Sequence, residues 1–310
     1  MRVAIVGQQD FGKAVLEAFL ARGDQVAGVF CAPEKPGAKA DVLRTFAQEK
    51  QIKVFQFGSL KSDEARAAMK GLNAEIGIMA FVLQFAPQDF VSIPKHGTIQ
   101  YHPSLLPKYR GPSSINWPII RGDTSTGLSV FRPTDGLDEG PVIVQKETPI
   151  GADDTLGTVY FDRLFPMGVQ AMLEAADLVV AGKHRERVQD ESHASYEGWC
   201  RKAEARINWA NHVDFVYNVV RGCNPAPGAW TTLEGKELQL FDARKHPVRS
   251  FGAVKGKIGE IVEVSDKSFQ VSAQGGRIEV LRAKLGDGKK LTAAELLSSG
   301  AIRAGAILGN

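Results

Sequence analysis

Short apolar runs alternate with amphipathic helical segments over the first hundred residues, and this alternation constrains the fold more than any other feature of the sequence. The apolar runs predict buried strands at 3–7, 25–30, 53–55, 76–80 and 98–101. The segments between them predict helices at 11–20, 41–50 and 62–70. Strands that alternate with helices of about ten residues form βαβ units, which assemble into an open parallel sheet. The predicted fold class is therefore α/β, with a Rossmann-like open parallel sheet.

Length and composition indicate a globular protein of two domains. The chain has 310 residues, and about 100–200 residues per domain is usual. Hydrophobic residues make up 44% and charged residues 24%, which excludes wholesale disorder. The net charge of +3 argues against a protein built mainly to neutralise phosphates. Cys31, Cys200 and Cys223 have the spacing of neither a disulfide framework nor a zinc cluster.

The sequence predicts no segment that targets or inserts the chain into a membrane. The apolar run at 3–7 is too short for a signal peptide. No apolar stretch approaches the ~18 residues that a transmembrane helix needs. We therefore expect a soluble, cytoplasmic, enzyme-sized protein with no membrane partner.

The turn after the first predicted strand disfavours a bound nucleotide. Gly7-Gln8-Gln9-Asp10-Phe11-Gly12 lacks the middle glycine of G-x-G-x-x-G and the Gly-Lys-Ser/Thr of a P-loop. Gln9 carries a side chain where the backbone has to approach a pyrophosphate. The turn is interpreted as a tight strand-to-helix connection, with neither NAD nor ATP bound.

The segment from 97 to 145 contains the residues best suited to chemistry. His102 follows the predicted strand 98–101 and begins a loop that three prolines and a glycine stiffen. Ligands of open parallel sheets bind outside the carboxyl ends of strands, where His102 is expected. Ser113 is predicted to cap the helix that follows this loop.

A second loop, 133–140, follows a predicted strand at 127–131 and has Asp138 at its centre. Taken alone, His102 is more often a hydrogen-bonded structural residue, and Asp-Gly pairs are more often plain turns. Because the two loops follow successive strands, we expect a general base beside an orienting carboxylate, a pairing that suits acyl chemistry.

These two loops resemble the formyltransferase family that uses 10-formyltetrahydrofolate. The family pattern is Asn-x-His-x-Ser-Leu-Leu-Pro-x-x-Arg-Gly, then a Trp, then Gly-Leu-Asp-x-Gly. This chain has QYHPSLLPKYRG at 100–111, Trp117 and GLDEG at 136–140. Further similarity at 205–209 and 221–230, which resemble the segment joining the family's two domains, extends the resemblance over nearly the whole chain. Within the family, the phrases at 80–87, 101–107, 114–117, 164–166 and 196–198 resemble the hydrolase domain of 10-formyltetrahydrofolate dehydrogenases.

The resemblance implies a mechanism for which His102, Asp138 and Gln100 are the catalytic residues. His102 is expected to donate a hydrogen bond to the oxyanion formed at the formyl carbon, and Asp138 to orient His102 or the nucleophile and take its proton. Gln100 stands where the family has Asn, and its side chain is one methylene longer. This difference leaves transfer to an amine and hydrolysis by water both open.

The resemblance also implies a folate site, with 10-formyltetrahydrofolate as formyl donor, no NAD(P) and no metal. Since the chain ends at Asn310, we expect it to lack the module that oxidises the formyl group. Three segments supply the expected folate-binding residues: Phe81, Val82, Leu83 and Gln84; Ser104, Leu105, Leu106 and Pro107; and Thr134, Asp135, Gly136 and Leu137.

The predicted domains are a catalytic domain at 1–182, a linker at 183–204 and a second domain at 205–310. A helix is predicted within 151–182 at the end of the first domain. Short β-like runs at 238–241, 259–264, 268–271 and 277–281 predict a small β-barrel. The resemblance implies that this barrel is OB-like.

The formyl acceptor remains open among water, a small amine and a tRNA. OB-like barrels often bind nucleic acid, and residues 205–310 carry 15 basic and 10 acidic residues. Five of the bases, Arg244, Lys245, Arg249, Lys255 and Lys257, are not interrupted by an acid. However, the loop 31–41 is short and nearly neutral where the tRNA enzymes of the family have a basic insertion. Methionyl-tRNA formyl transfer is therefore the alternative enzyme, and a folate- or nucleic-acid-binding module without catalysis is the alternative from another class.

Overall fold

The computed structural model describes residues 1–248 and 254–309, which form two compact units. Unit 1 comprises Met1–Gly111, Gly127–Thr148 and Arg163–Tyr196. Unit 2 comprises Pro112–Thr126, Pro149–Asp162 and the described residues of Glu197–Asn310. The predicted boundaries at 182 and 204 remain a prediction, and Arg249 lies outside the described residues.

The described strands and helices are numbered in chain order. The strands are β1 (Arg2–Gly7), β2 (Gln25–Phe30), β3 (Val54–Phe55), β4 (Ile76–Ala80), β5 (Thr98–His102), β6 (Ser125–Phe131), β7 (Val142–Pro149), β8 (Ala229–Leu233), β9 (Lys236–Leu240), β10 (Ala243–Pro247), β11 (Ile261–Val264), β12 (Phe269–Ala273), β13 (Gly276–Val280), β14 (Arg282–Leu285) and β15 (Leu291–Thr292). The α-helices are α1 (Gln9–Ala21), α2 (Val42–Glu49), α3 (Asp63–Gly71), α4 (Gln88–Val91), α5 (Asn116–Arg121), α6 (Leu156–Val159), α7 (Phe165–Val180), α8 (Val213–Gly222) and α9 (Ala293–Ser298).

The sheet that carries unit 1 has seven strands in the order β3-β2-β1-β4-β5-β6-β7. The five strands β1 to β5 run parallel, as the alternation of strands and helices predicts. The Rossmann-like fold class is thereby confirmed. Strand β6 instead runs antiparallel to β5, so the sheet is mixed and not wholly parallel.

The two faces of this sheet are covered by different helices. On one face, Val6 and Met79 pack with Phe90 of α4 and Met69 of α3 in a single hydrophobic cluster. On the other face, the ring of Tyr101 stacks on Phe11 of α1 at 4.2 Å between ring centres. Because side chains alternate between the faces of a strand, Gln100 and His102 lie on the face opposite to that of Tyr101.

Local capping explains where two helices of unit 1 begin. The Asp41 side chain accepts a hydrogen bond from the Leu43 N–H at the start of α2. Ser62 does the same for α3 through the Ala65 N–H. Both helices lie within one residue of the predicted ranges 41–50 and 62–70, because a capping side chain is readable from the local sequence.

One local prediction around the helices was confirmed with a difference, and another was wrong. The helix predicted within 151–182 consists of α6, a π-helical turn at Tyr160–Leu164 and α7. Ser113 does not cap α5, because it has a positive φ of 63° and its hydroxyl accepts the N–H of Cys200. The helix α5 begins at Asn116 with no side-chain cap.

The strands of unit 2 are antiparallel and form two four-stranded sheets, β10-β13-β12-β11 and β15-β14-β9-β8. Their buried side chains form one hydrophobic cluster, which includes Leu240 and Phe269 together with Val216 of α8. The four predicted strand segments overlap β9, β11, β12 and β13. No helix in the described part of the chain is long and apolar enough to cross a membrane.

Candidate active site

The register of unit 1 places Gln100 and His102 at one edge of the sheet. Val6 pairs with Met79, and Met79 pairs with Gln100, so these residues form one row across β1, β4 and β5. His102 ends β5 two residues further along, on the same face as Gln100. The carboxyl-end argument is therefore correct for His102.

His102 is buried, with 6% of its surface exposed, and both ring nitrogens face polar groups. The Nε2 atom lies 2.8 Å from the carbonyl oxygen of Tyr109. Since a carbonyl only accepts, Nε2 carries the proton of this hydrogen bond. The Nδ1 atom lies 3.6 Å from Oδ2 of Asp138, within ion-pair range but too far for a hydrogen bond. Nδ1 is thus the ring nitrogen that remains available to a ligand.

Asp138 reaches His102 by a route that the sequence does not predict. Because β6 is antiparallel to β5, Phe131 ends β6 beside Gln100 and not at the edge of His102. The loop 132–141 then returns toward His102, and its base is closed by the Arg132 N–H, which donates to the Pro141 carbonyl. The expected proximity of His102 and Asp138 is found, although its structural reason is a folded-back loop.

The Asp138 carboxylate is buried and fixed by the histidine loop itself. Oδ2 accepts the backbone N–H of Gly111 at 2.8 Å, and only 7% of Asp138 is exposed. The same oxygen therefore accepts the Gly111 N–H and lies 3.6 Å from Nδ1 of His102. This geometry fixes the carboxylate before any ligand binds.

Arg110 and Gln189 connect the two loops, and sequence reasoning missed Gln189. Arg110 donates to Oε1 of Gln189 at 3.0 and 3.2 Å. The Nε2 of Gln189 donates to the carbonyls of Asp138 and Gly140 at 2.8 and 2.7 Å. Gln189 lies in the stretch interpreted as a mixed-charge linker, where nothing local indicates that a glutamine is buried.

An ion pair with Glu191 completes the support of Arg110. The two side chains approach to 2.6 Å, and Arg110 is buried while Glu191 is largely exposed. The hydrogen bond that Arg110 donates to Glu191 raises the pKa of Arg110 and lowers the pKa of Glu191. Both charges therefore persist through the neutral pH range.

Three residues of this edge have a left-handed backbone that bulky residues seldom adopt. The φ angles are 58° at Tyr109, 55° at Asp138 and 60° at Phe81. Tyr109 presents the carbonyl that binds His102, and Asp138 presents the carboxylate. Such strained residues concentrate at functional sites, where the surrounding structure holds them.

The Gln100 side chain is half-buried and makes no hydrogen bond with any residue that the structure describes. Its carboxamide lies on the face of His102, two residues before it on β5. The side chain is therefore available to donate or accept a hydrogen bond at this edge of the sheet.

The side chains of Phe81–Gln84, the segment predicted to bind folate, face in two directions. Phe81 and Leu83 are 40% and 56% exposed. Val82 packs against the core, and the Gln84 amide donates to the carbonyl of Phe57. Phe81 and Leu83 are thus open to a ligand, whereas Val82 and Gln84 hold the segment in place.

The segment 104–107 mainly builds the loop that follows His102. The Ser104 hydroxyl donates to the carbonyl of Lys108, and Leu106 is buried against Phe131 and Val142. Leu105 lies against Gly127, and the Pro107 carbonyl accepts the N–H of Ser195. These contacts fix the loop that presents the Tyr109 carbonyl.

The segment 134–137 is tied to the segment after β4. Oδ1 of Asp135 accepts the Gln88 N–H at 2.9 Å. Leu137 is 51% exposed, Thr134 is half-buried, and Gly136 lies close to the Glu139 side chain. The segment 134–137 is therefore held to the start of α4, four residues beyond the predicted folate segment 81–84, and both folate segments present exposed apolar side chains.

A cavity of about 360 Å³ lies beside this junction. It is lined by Lys61, Arg66, Pro87, Gln88, Asp89 and Asp135. Neither His102 nor Asp138 lines it, so it is separate from the residues suited to chemistry.

The first strand-to-helix turn is filled by the chain's own groups. Both oxygens of the Asp41 carboxylate accept the Gln9 N–H at the start of α1, where a nucleotide-binding Rossmann fold places a phosphate. A Cβ on Gly7 would lie 2.1 Å from the Ala80 carbonyl, so close packing explains this glycine. Among the described residues, no group of His, Cys, Asp and Glu is arranged to hold a metal ion.

Comparisons with known proteins identify the family of the chain. Residues 1–176 match the family Formyl transferase, and residues 200–300 match Formyl transferase, C-terminal domain. The chain is 40% identical to the cytosolic 10-formyltetrahydrofolate dehydrogenase of Mus musculus over 78% of its own length, but it spans only 27% of that protein. It is 32% identical to the methionyl-tRNA formyltransferase of Geobacter sulfurreducens, covering 100% of this chain and 97% of that protein.

A solved structure shows the same fold at low sequence identity. It is an N-formyltransferase from Helicobacter canadensis, determined in complex with folinic acid and dTDP-3-aminofucose. The TM-score is 0.69 and the identity 18%, with 93% of this chain and 99% of that chain covered. With the family match extending over more than half of its residues, the chain belongs to the formyl transferase family.

Proposed function

We propose that this chain removes the formyl group of 10-formyltetrahydrofolate with water as the acceptor, giving tetrahydrofolate and formate. The observation that carries the proposal is the buried pair of His102 and Asp138, 3.6 Å apart and beside the free amide of Gln100. Folate as formyl donor is supported by the similarity to 10-formyltetrahydrofolate dehydrogenase and to a transferase bound to folinic acid. The proposed reaction requires neither NAD(P) nor a metal.

The chemistry is an acyl transfer to water. The water oxygen attacks the formyl carbon, a C–O bond forms, and the formyl oxygen becomes an oxyanion. The proton of the attacking water passes to the Asp138 carboxylate. The oxyanion then collapses, the C–N10 bond breaks, and N10 leaves with the proton delivered from Asp138. The formic acid formed releases the second proton of the water to solvent and becomes formate. A buried carboxylate that is already fixed is suited to this exchange.

His102 is proposed to stabilise the oxyanion through Nδ1. Its Nε2–H is held by the Tyr109 carbonyl, so only Nδ1 can face the formyl oxygen. To donate while Nε2–H is held by Tyr109, Nδ1 has to carry a proton of its own, so the proposal requires the doubly protonated ring in the reacting state. Removal of one such oxyanion donor typically slows a reaction by about 100- to 1000-fold.

Gln100 is proposed to supply a second hydrogen bond to the same oxyanion. Its amide has no partner among the described residues and lies on the face of His102. Gln is one methylene longer than the family's Asn, so its N–H has to reach the oxyanion from a position further back along β5.

The folate is proposed to lie against the two segments 81–84 and 134–137. Phe81, Leu83 and Leu137 present exposed apolar surface that suits the flat pterin ring. The segment 104–107 contributes by fixing the loop that carries the Tyr109 carbonyl. On this proposal Ser104, Val82 and Gln84 shape the site without using their polar groups on the ligand.

The experiment that tests the choice of acceptor is turnover of 10-formyltetrahydrofolate by the purified protein with no acceptor added. The proposal predicts that tetrahydrofolate and formate accumulate in equal amounts over many turnovers. Folate binding without turnover would contradict water as the acceptor and would indicate transfer to an amine.

A second candidate is formyl transfer to methionyl-tRNA. It is favoured by the similarity to the Geobacter sulfurreducens enzyme over nearly the full length of both proteins. Against it stands the loop 31–41, in which Lys35 and Lys39 are balanced by Glu34 and Asp41. Both carboxylates are engaged within the protein, so the loop offers only two lysines to a phosphate backbone.

A further inference from the structure

Gln8 extends β1 to the row of His102. Its backbone is extended (φ −165°, ψ 174°), and its N–H donates to the Ala80 carbonyl at 3.4 Å. Val6, Met79 and Gln100 share one row, so Gln8 and His102, each two residues further on, share the next. Two strand spacings separate them, or about 10 Å.

The Gln8 side chain lies on the sheet face that carries the site. Ala4 and Val6 of β1 pack into the cluster that contains Met79. Side chains alternate along an extended strand, so Gln8 follows Ala4 and Val6 onto that face. Gln100 and His102 share this face, and Gln8 therefore flanks the site from β1.

The Gln8 side chain has no hydrogen-bonding partner within the described protein, although most of the residue is buried. Only 8% of the residue is exposed, and its side chain makes no hydrogen bond with any residue that the structure describes. The buried polar atoms that lack a partner do not include those of Gln8, so its amide reaches solvent and is open to a ligand. Burial, face and row together indicate a ligand-binding side chain.

We infer that Gln8 hydrogen-bonds the acceptor, the water or amine that attacks the formyl carbon. This inference rests on the function proposed above. An amide oxygen accepts a proton of the nucleophile while the amide N–H₂ donates to a lone pair, which suits a neutral group that is both donor and acceptor. The proposed folate segments follow β4 and β6, on either side of β5, whereas Gln8 approaches from β1. Strand β4 lies between β1 and β5, so Gln8 flanks the segment that follows β4 on the side away from His102, and we assign the acceptor to this side.

The test compares Gln8→Leu with the wild type in two measurements. One is the kcat for formyl release from 10-formyltetrahydrofolate in water, and the other is the Kd for 5-formyltetrahydrofolate, a stable folate probe. We expect kcat to fall at least tenfold in Gln8→Leu while Kd stays within twofold. Gln8→Glu, which keeps an acceptor oxygen, is expected to retain more activity than Gln8→Leu. Gln48→Leu, the same change at an exposed position of α2, is expected to match the wild type.

Three results would overturn the inference. An unchanged kcat in Gln8→Leu removes the role, and a rise in Kd that accounts for the whole loss makes Gln8 a folate contact instead. Equal activity in Gln8→Glu and a folded Gln8→Leu shows that the oxygen is not used. If Gln8→Leu fails to fold, Gln8→Glu and Gln8→Ala are compared with the wild type under the same criteria. A wild type that neither binds the probe nor releases formate refutes the proposed function itself, which separates that failure from a failure at Gln8.

Discussion

At the scale of single residues, the pair of His102 and Asp138 depends on buried side chains that hold the two loops together. His102 ends a strand as the sequence predicts, whereas Asp138 comes beside it through a loop that folds back from the antiparallel β6. Gln8 and Gln189 were not predicted, because the burial of a glutamine depends on contacts with residues far along the chain. Gln189, for example, joins Arg110 to Asp138, which are 79 and 51 residues away.

Gln189 is expected to act as a positioning residue. Gln189→Leu removes two hydrogen bonds to backbone carbonyls and one partner of the buried Arg110, which destabilises the folded state by about 1–3 kcal/mol. Because the Asp138 loop loses its tie, kcat for formyl release is expected to fall at least tenfold. Urea unfolding and kcat are measured together, with Gln48→Leu as the control. A variant that is destabilised but retains the wild-type kcat would show that Gln189 is purely structural.

At the scale of secondary-structure elements, local signals determine helix starts, whereas strand direction depends on distant contacts. Asp41 and Ser62 cap α2 and α3 where the sequence predicts. The direction of β6 was not predicted, since periodicity reports that a segment is a strand but not how it pairs. Strands β8, β10, β14 and β15 were not predicted, because they are short and lack a long apolar run.

Asp41 is expected to stabilise two helices at once. Its carboxylate accepts the N–H groups of Gln9 and Leu43, at the starts of α1 and α2. Asp41→Ala is expected to lower the free energy of unfolding by about 1–2 kcal/mol, as for other N-cap removals. Asp41→Asn, which keeps an acceptor oxygen, is expected to lose less. Chemical denaturation measures both, and equal losses would contradict the capping role.

Glu34 is expected to make stability depend on pH in the acid range. The Asp41 N–H, then Gln56 and Arg44, hold the pKa of Glu34 down to about 2. A lowered pKa in the folded state stabilises the protein above the unfolded pKa of about 4.3, and this contribution is lost as pH falls toward 2. The folded and unfolded pKa values define a range of about pH 4.5 to pH 2.5. Over this range, the urea midpoint of the wild type is expected to drop more steeply than that of Glu34→Gln. Parallel pH profiles would exclude this contribution.

At the scale of the whole molecule, the sequence predicts the α/β unit and the antiparallel strands of the second unit. Both follow from repeated local patterns of apolar residues and turns. The acceptor is not determined at this scale, because relatives of the chain include a dehydrogenase and a tRNA formyltransferase. The distribution of charge gives a means of testing the tRNA alternative.

We expect the protein not to retain tRNA. The bases of unit 2 are partly paired, as Lys245 is with Asp214 at 2.5 Å, and the loop 31–41 is balanced in charge. Filter binding of charged initiator tRNA at low salt is therefore expected to give no retention. Retention that weakens steeply as salt rises would contradict this expectation, because each phosphate contact releases counterions.

The most direct test of the proposed site compares the wild type with Asp138→Asn in formation of tetrahydrofolate from 10-formyltetrahydrofolate, with the Kd for 5-formyltetrahydrofolate measured on the same samples. The Asn side chain keeps the shape and can still accept the Gly111 N–H, but it cannot take a proton from water. We predict that the rate falls by about 100-fold or more, as for the loss of a general base, while Kd changes little. Wild-type turnover that persists in Asp138→Asn would contradict the proposed role of Asp138. Folate binding without turnover in either protein would favour a binding module or an amine acceptor over hydrolysis.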